Sequence, residues 1–347
     1  MEKKTRVCFW LFFTFFFIAT INSSLIERSS LVFIYLMFFI FLSLNLFECF
    51  KKNTKAFENT LIFFVVSIYA NIIIIFFYDF TKINWETFQE VRRFKGVLNI
   101  ICVLVLLLPF FKKSKFNLIP FLLLPPCLII SNCNSAILGI LIGLLSCFIY
   151  YLYQNFSKKK VLVLTTLFTL IFSSYIISNL PNKFDYESIQ NYNFKIPTQL
   201  IDAHRQYIWG FSLEKFKEKP FFGYGPDTSN FIAEGQKEIG SPDKCRGCGT
   251  GTMKFIPSHP HNFLVELLLE TGLFGTIFFL AFICLINLKI AINSNNYDRF
   301  FLLFFNFYFW GASLVNFSFW LGWWQGSYFF ILALISIKIF SKKRTEF

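Results

Sequence analysis

The sequence predicts an all-α protein: a polytopic membrane helix bundle of about ten transmembrane helices, with one long extracytoplasmic loop that carries short helices. Three observations predict it. Of 347 residues, 55% are hydrophobic and only 15% are charged, where a soluble domain carries roughly 25% charged residues. Phe alone contributes 53 residues, and the mean hydropathy is +0.56. Apolar runs long enough to cross a ~30 Å hydrocarbon core recur along the chain. This composition excludes an ordinary soluble enzyme, a disordered chain and a nucleic-acid binder acting through a basic surface. The net charge of +13 must be read by where the cations sit.

Ten apolar runs are drawn at about 7–26, 30–50, 60–78, 97–111, 116–131, 136–153, 161–178, 263–287, 300–317 and 323–340. The first follows Lys3, Lys4 and Arg6, as the apolar part of a secretory leader would. It is long and no small-residue cleavage site follows, so it is read as a span. Phe and Ile fill these runs as lipid-facing bulk. Lys3/Lys4/Arg6, Lys51/Lys52/Lys55, Lys112/Lys113/Lys115, Lys158/Lys159/Lys160, Lys289/Arg299 and Lys338/Lys342/Lys343/Arg344 fall on one side. Arg28, Lys82, Arg92, Arg93 and Lys95 fall on the other. The excess of cations marks the cytoplasmic side, so both termini are expected there. Three parts follow: an N-terminal bundle over 1–178, an external loop over 179–262, and C-terminal helices with a tail over 263–347. Long loops that persist tend to be functional.

The chemistry concentrates where that loop meets the next apolar run, in Ser258-His259-Pro260-His261-Asn262-Phe263. Ser258 or His259 is the expected helix cap, with Pro260 at the first helical position and His261 in the first turn. The positive end of a helix favours a neutral imidazole, which serves as a general base near pH 7. Asn262, Glu266 and Glu270 are spaced i, i+4, i+8 and share a face. Carboxylates in a spanning helix are costly and face the bundle interior, either as site residues or paired structurally. Gly272 and Gly275 suit close helix packing.

Upstream, Trp209, Leu213 and Phe216 repeat at i, i+4, i+7, the pattern of a short amphipathic helix lying on the membrane or the bundle. Arg205 stands near its start, and a guanidinium suits bidentate binding of phosphate oxygens. The Gly223/Gly225 pair between Pro220 and Pro226 is a turn. It lacks the preceding strand and third glycine of a nucleotide-binding loop.

These residues carry a resemblance. The run His261-Asn262…Glu270-x-Gly272-x-x-Gly275 resembles the C-terminal signature of the O-antigen ligase and O-antigen polymerase superfamily. The run Arg205-x-x-x-Trp209…Pro220-x-x-Gly223-x-Gly225 is similar to that family's external-loop pattern. The patterned part covers residues 200–280. The resemblance implies a metal-independent, cofactor-free glycosyltransferase of the bacterial inner membrane, working at the periplasmic face. Its donor would be a polyprenyl-diphosphate-linked glycan. Its acceptor would be lipid A-core in a ligase, a growing glycan in a polymerase, or a protein in some relatives. No nucleic acid is implied. By carry-over, His261 activates the acceptor hydroxyl and Arg205 holds the donor diphosphate. Arg92, Arg93, Asn262, Glu270 and His204 are further substrate-binding candidates. The chain departs from the family at Ser131-Asn132-Cys133-Asn134-Ser135-Ala136, where Asn134 stands in place of a frequent Arg. It also shows ten runs where many relatives have about twelve.

Seven of the nine cysteines lie in or beside apolar runs and read as small hydrophobes. Cys245 and Cys248 stand apart in the loop and suit a disulfide in an oxidising compartment. A zinc site with His259 and His261 is the rival, though it would consume the proposed base. A polysaccharide-lipid flippase is the rival from another class. It would place charges deep in several helices, whereas here they gather at one face.

Overall fold

The computed structural model describes residues 3–84, 91, 93–185, 188–189, 192–240 and 252–345. Each of the ten apolar runs is met by a helix: α1 (Lys3–Ile21), α2 (Ile26–Lys52), α3 (Thr54–Lys82), α4 (Lys95–Phe111), α5 (Leu118–Ile130), α6 (Asn134–Asn155), α7 (Lys158–Ser178), α9 (Phe263–Ile292), α10 (Asn296–Ser313) and α11 (Gly322–Thr345). The long loop carries α8 (Ala203–Glu218) and, beyond the expected helices, an antiparallel pair of three-residue strands. These are β1 (Glu238–Gly240) and β2 (Thr252–Lys254), with Glu238 opposite Lys254. Among the described residues, seven helices are long and apolar enough to cross a membrane; α4 and α5 are shorter, and α10 carries Asp298 and Arg299 in its first turn. The protein is an all-α polytopic membrane bundle.

The chain divides into two compact units. The first comprises 1–37, 153–286 and 316–324; the second comprises 38–152, 287–315 and 325–347.

In the first unit the phenylalanines are more than lipid-facing bulk. Phe12 and Phe16 of α1 are fully buried, with Phe12 stacked on Phe282 of α9 at 5.2 Å and Phe16 against Phe279 at 6.0 Å. The long loop has a core of its own, in which Leu180, Ile189, Ile196, Ile232, Phe255 and Ile256 enclose α8. Residues 206–212 of α8 are buried without a break. The amphipathic-surface reading of this helix is therefore corrected: α8 is the centre of a small folded module. Its spacing misled because Gln206, Gly210 and Ser212 are polar or small yet lie inside. By contrast, α7 has no buried residue, and past its three N-terminal lysines it is mostly apolar with only hydroxyl side chains interspersed, which suits a helix that faces lipid.

The helix α9 is not continuous. Gly272 has φ +68 and ψ −174, so the chain breaks there and resumes. The part after the break is about 20 residues, roughly 30 Å, enough to span the hydrocarbon core alone. A break leaves carbonyls and amides without helical partners. Here the 220–225 segment supplies them. Tyr224 N donates to Leu269 O (3.0 Å) and Gly225 N to Glu270 O (2.8 Å), while Leu273 N donates to Pro220 O (2.8 Å). The two backbones approach so closely that a Cβ on Gly272 would lie 2.2 Å from Phe221 O, and one on Gly223 would lie 2.4 Å from the Glu270 carbonyl carbon. Both glycines also take positive φ, which side-chain-bearing residues adopt at a cost.

In the second unit, helices meet through polar side chains. Asn306 donates to Asn287 (2.7 Å), Asn287 to the Tyr328 hydroxyl (3.1 Å), and that hydroxyl to Asn306 (2.7 Å), closing a ring across α9, α10 and α11. Asn99 of α4 likewise gathers Tyr308, Ser135 and Cys133.

Candidate functional site

The site is built on the first unit, where α8 and the entry to α9 are held together. Asp202 caps α8, its side chain accepting from His204 N at 2.9 Å. One turn after Arg205, the buried Trp209 donates its indole N–H to Pro260 O at 2.9 Å. The Arg-x-x-x-Trp spacing thus has a structural cause. Residues i and i+4 share a helix face, so the tryptophan that anchors the 259–261 segment brings the guanidinium beside it.

The helix cap differs from expectation. Asn262 is the N-cap: its Oδ1 accepts from Leu264 N (3.1 Å) and Val265 N (3.3 Å), and its carbonyl accepts the first helical bond from Glu266 N. His261 therefore precedes the helix instead of occupying its first turn, and takes φ +54. The left-handed conformation is costly for a residue with a side chain and persists where surroundings over-determine it. Here His261 N donates to His259 Nδ1 at 3.1 Å, and His261 Nδ1 lies 3.0 Å from Asn316 O.

Those two contacts assign the tautomers. A carbonyl only accepts, so His261 carries its proton on Nδ1 and presents Nε2 as a bare acceptor. His259 accepts at Nδ1 and so carries its proton on Nε2. Among the described residues nothing hydrogen-bonds to His261 Nε2. Burial lowers the pKa of His261, against the Asn316 hydrogen bond, with Arg205 and His204 lowering it further. Burial, His261 and Arg205 together push His259 down to about 3. Both imidazoles are neutral at pH 7.

Arg205 is half-buried, and burial pulls its pKa below the ordinary value, with Asp202 acting through space against this. No hydrogen bond or ion pair reaches the guanidinium among the described residues. A partly desolvated cation with open donors, beside neutral bases, is an arrangement that accepts an anion.

The other expected residues have different tasks. The Asn262 oxygen is occupied by capping. His204 Nε2 donates to Lys254 O (2.9 Å), tying α8 to β2. Glu270, expected to meet substrate, has its carboxylate filled by the protein: Oε2 accepts from Asp227 N (2.7 Å) and from the Trp320 indole N–H, and Oε1 from Ser229 N (2.8 Å). Glu266 accepts from Ser318 Oγ and Phe319 N, both at 2.6 Å. Arg93 belongs to the second unit, where its guanidinium meets the Tyr78 hydroxyl (3.3 Å) and lies over the Tyr78 ring. Arg92, Cys245 and Cys248 lie outside the described residues. Asn134 is exposed at the first position of α6, in the second unit.

Sequence reasoning passed over Arg28 and Asp227. Arg28 Nε donates to Asp227 Oδ2 (2.8 Å) and to its carbonyl (2.9 Å), and the guanidinium covers the Phe231 ring at 5.0 Å. The start of α2 and the long loop are therefore tied together by this ion pair. The Asn316 carbonyl was also invisible, since any residue type supplies one.

Residues 119–280 match the family model described as O-Antigen ligase, a stretch that contains both Arg205 and His261. Over this stretch the chain is similar to O-antigen ligases. Similar proteins agree. One from Rickettsia typhi, named "Putative polysaccharide ligase", is 26% identical over 318 residues, covering 85% of this chain and 72% of that relative. Proteins of the same description from Rickettsia conorii and Rickettsia prowazekii are each 30% identical. Those alignments cover 42% and 51% of this chain, and 34% and 43% of the relatives. The chain thus spans about a third of the R. conorii relative. The two runs that carried the resemblance, 205–225 and 261–275, are the two strips of backbone that interlock at the Gly272 break.

Proposed function

We propose that this protein is a polysaccharide ligase that transfers a glycan from a polyprenyl-diphosphate carrier to an acceptor hydroxyl at the periplasmic face of the bacterial inner membrane. The observation that carries the reading is the His261 ring: Nδ1–H is committed to Asn316 O, and Nε2 is bare and unprotonated, beside the unpaired Arg205. The acceptor O–H would give its proton to Nε2 as its oxygen bonds to the anomeric carbon. The bond from that carbon to the diphosphate would break, with the electron pair leaving on the diphosphate. Arg205 would hold that growing negative charge where water is excluded. The acceptor is lipid A-core or another glycan. No step requires a metal or cofactor, and both termini lie in the cytoplasm.

The test is transfer from a polyprenyl-diphosphate glycan by purified protein, wild type beside His261→Ala, with and without EDTA. Loss of a general base costs ~10²–10⁴-fold in rate. Wild-type transfer that survives EDTA and collapses in the variant supports the reading. A variant that transfers normally removes His261 from the chemistry. Transfer abolished by EDTA returns the zinc alternative. A capped acceptor marks ligation, and a ladder of lengthening chains marks polymerisation.

A further inference from the structure

The Asn316 carbonyl that fixes His261 lies in the connection between α10 and α11, outside any regular element. A carbonyl in such a connection points wherever the local backbone turns it. One buried side chain controls that turn. Glu266 has no exposed surface, and both its oxygens are spent on this connection: Oε1 accepts from Ser318 Oγ and Oε2 from Phe319 N, each at 2.6 Å. Ser318 Oγ in turn accepts from Trp320 N at 3.1 Å. Glu266 sits in the first turn of α9, the helix whose capped start carries His261. Helix, carboxylate, turn, carbonyl and imidazole thus form a closed circuit within one compact unit. An apolar residue would pack the turn against the helix more cheaply, but would leave its peptide groups undirected.

We infer that Glu266 is a positioning residue: it sets which nitrogen of His261 carries the proton, acting through the Ser318–Phe319 turn and the Asn316 carbonyl. This rests on the reading of His261 as the base, and it adds a residue that does not touch substrate. The groups facing His261 are Arg205 and His204 from α8, the His259 ring at 4.1 Å between centroids, and the Asn316 carbonyl. Only the carbonyl distinguishes the two ring nitrogens by accepting from one of them.

The chain has three histidines, so a ¹⁵N-histidine-labelled sample in nanodiscs gives six ring-nitrogen signals. Those lost in His261→Gln belong to His261. In the wild type at pH 7.5, Nδ1 is expected to be of the protonated type and Nε2 of the unprotonated type. Glu266→Ala is expected to mix the two tautomers and lower kcat by on the order of 10- to 100-fold, as misplacement of a reacting group does, with the donor KM little changed. Glu266→Gln is expected to keep the wild-type pattern, since its carboxamide oxygen accepts from Phe319 N and its NH₂ donates to Ser318 Oγ. Should Glu266→Ala fail to fold, Ser318→Ala removes one of the two bonds and is expected to shift the tautomers partway. A wild type protonated on Nε2 overturns the inference. So does a wild-type pattern retained in both Glu266→Ala and Ser318→Ala. If the tautomers respond as expected while the wild type transfers no glycan, the positioning stands and the base assignment falls.

Discussion

Glu270 offers the sharpest quantitative test of the fold around the site. Three N–H donors converge on its two oxygens: Asp227 N and the Trp320 indole on Oε2, Ser229 N on Oε1. The side chain is fully buried, so no water replaces a lost partner. In Glu270→Gln the carboxamide oxygen takes the Oε2 place and keeps two donors. Its NH₂ then faces the Ser229 N–H, leaving one buried donor unmet at about 1–3 kcal/mol. Glu270→Ala abandons all three, and each buried donor left unmet costs about 1–3 kcal/mol. The expected order of stability is wild type, Gln, Ala, with a clear gap at each step. Thermal unfolding followed by tryptophan fluorescence measures the order, and limited proteolysis over 226–236 locates the damage. A Gln variant as stable as wild type would refute the three-donor count. An Ala variant no worse than Gln would refute the claim that the carboxylate holds the loop.

Three further outcomes follow from the same geometry. Gly272→Ala places a methyl 2.2 Å from Phe221 O on a residue with φ +68; backbone strain alone costs about 1–3 kcal/mol, and the clash adds to it, so loss of folded protein in detergent is expected. Trp209→Phe keeps the buried ring but strands the Pro260 carbonyl, for about 1–3 kcal/mol by chemical denaturation, together with a fall in transfer rate as the 259–261 segment loosens. His259 titrates near 6.5 when unfolded and near 3 when folded. The unfolded chain then binds the extra proton between those values. The stability this histidine contributes is full above pH 6.5 and is lost as pH falls toward 3. Roughly 1–2 kcal/mol should disappear between pH 6.5 and 5, and a His259→Asn variant should lack that slope. No such slope in the wild type would mean His259 is solvated.

The ten helices were legible because a bilayer leaves few options: every backbone polar group must be satisfied within the segment, so long apolar runs become helices. The position of His261, Arg205 and the two glycine turns was legible as well, through spacing that resembles a family. The break at Gly272 was not. A glycine in an apolar run reads equally as a packing contact, and only the 220–225 segment, some 50 residues earlier in the chain, reveals why its φ is positive. The helix start was misread by three or four residues because Ser258, His259, Pro260 and Asn262 are all acceptable starters, and tertiary contacts to Asn316 and Trp209 chose among them.

The sequence by itself determined the membrane class, the places of the long apolar helices and which residues are chemically able to act. Those follow from composition and local spacing, which each residue carries wherever it is placed. The tertiary structure decided what each candidate does. Three polar residues on one helix face were equivalent in sequence, yet Asn262 caps the helix, Glu266 holds the 318–319 turn and Glu270 holds the 227–229 loop. The reason is that a buried polar side chain takes its task from the donors around it. For Glu266 and Glu270 those donors come from residues that are remote in the chain. The proton on His261 is the same case: its position is set by a main-chain carbonyl 55 residues away, a group that no sequence pattern marks.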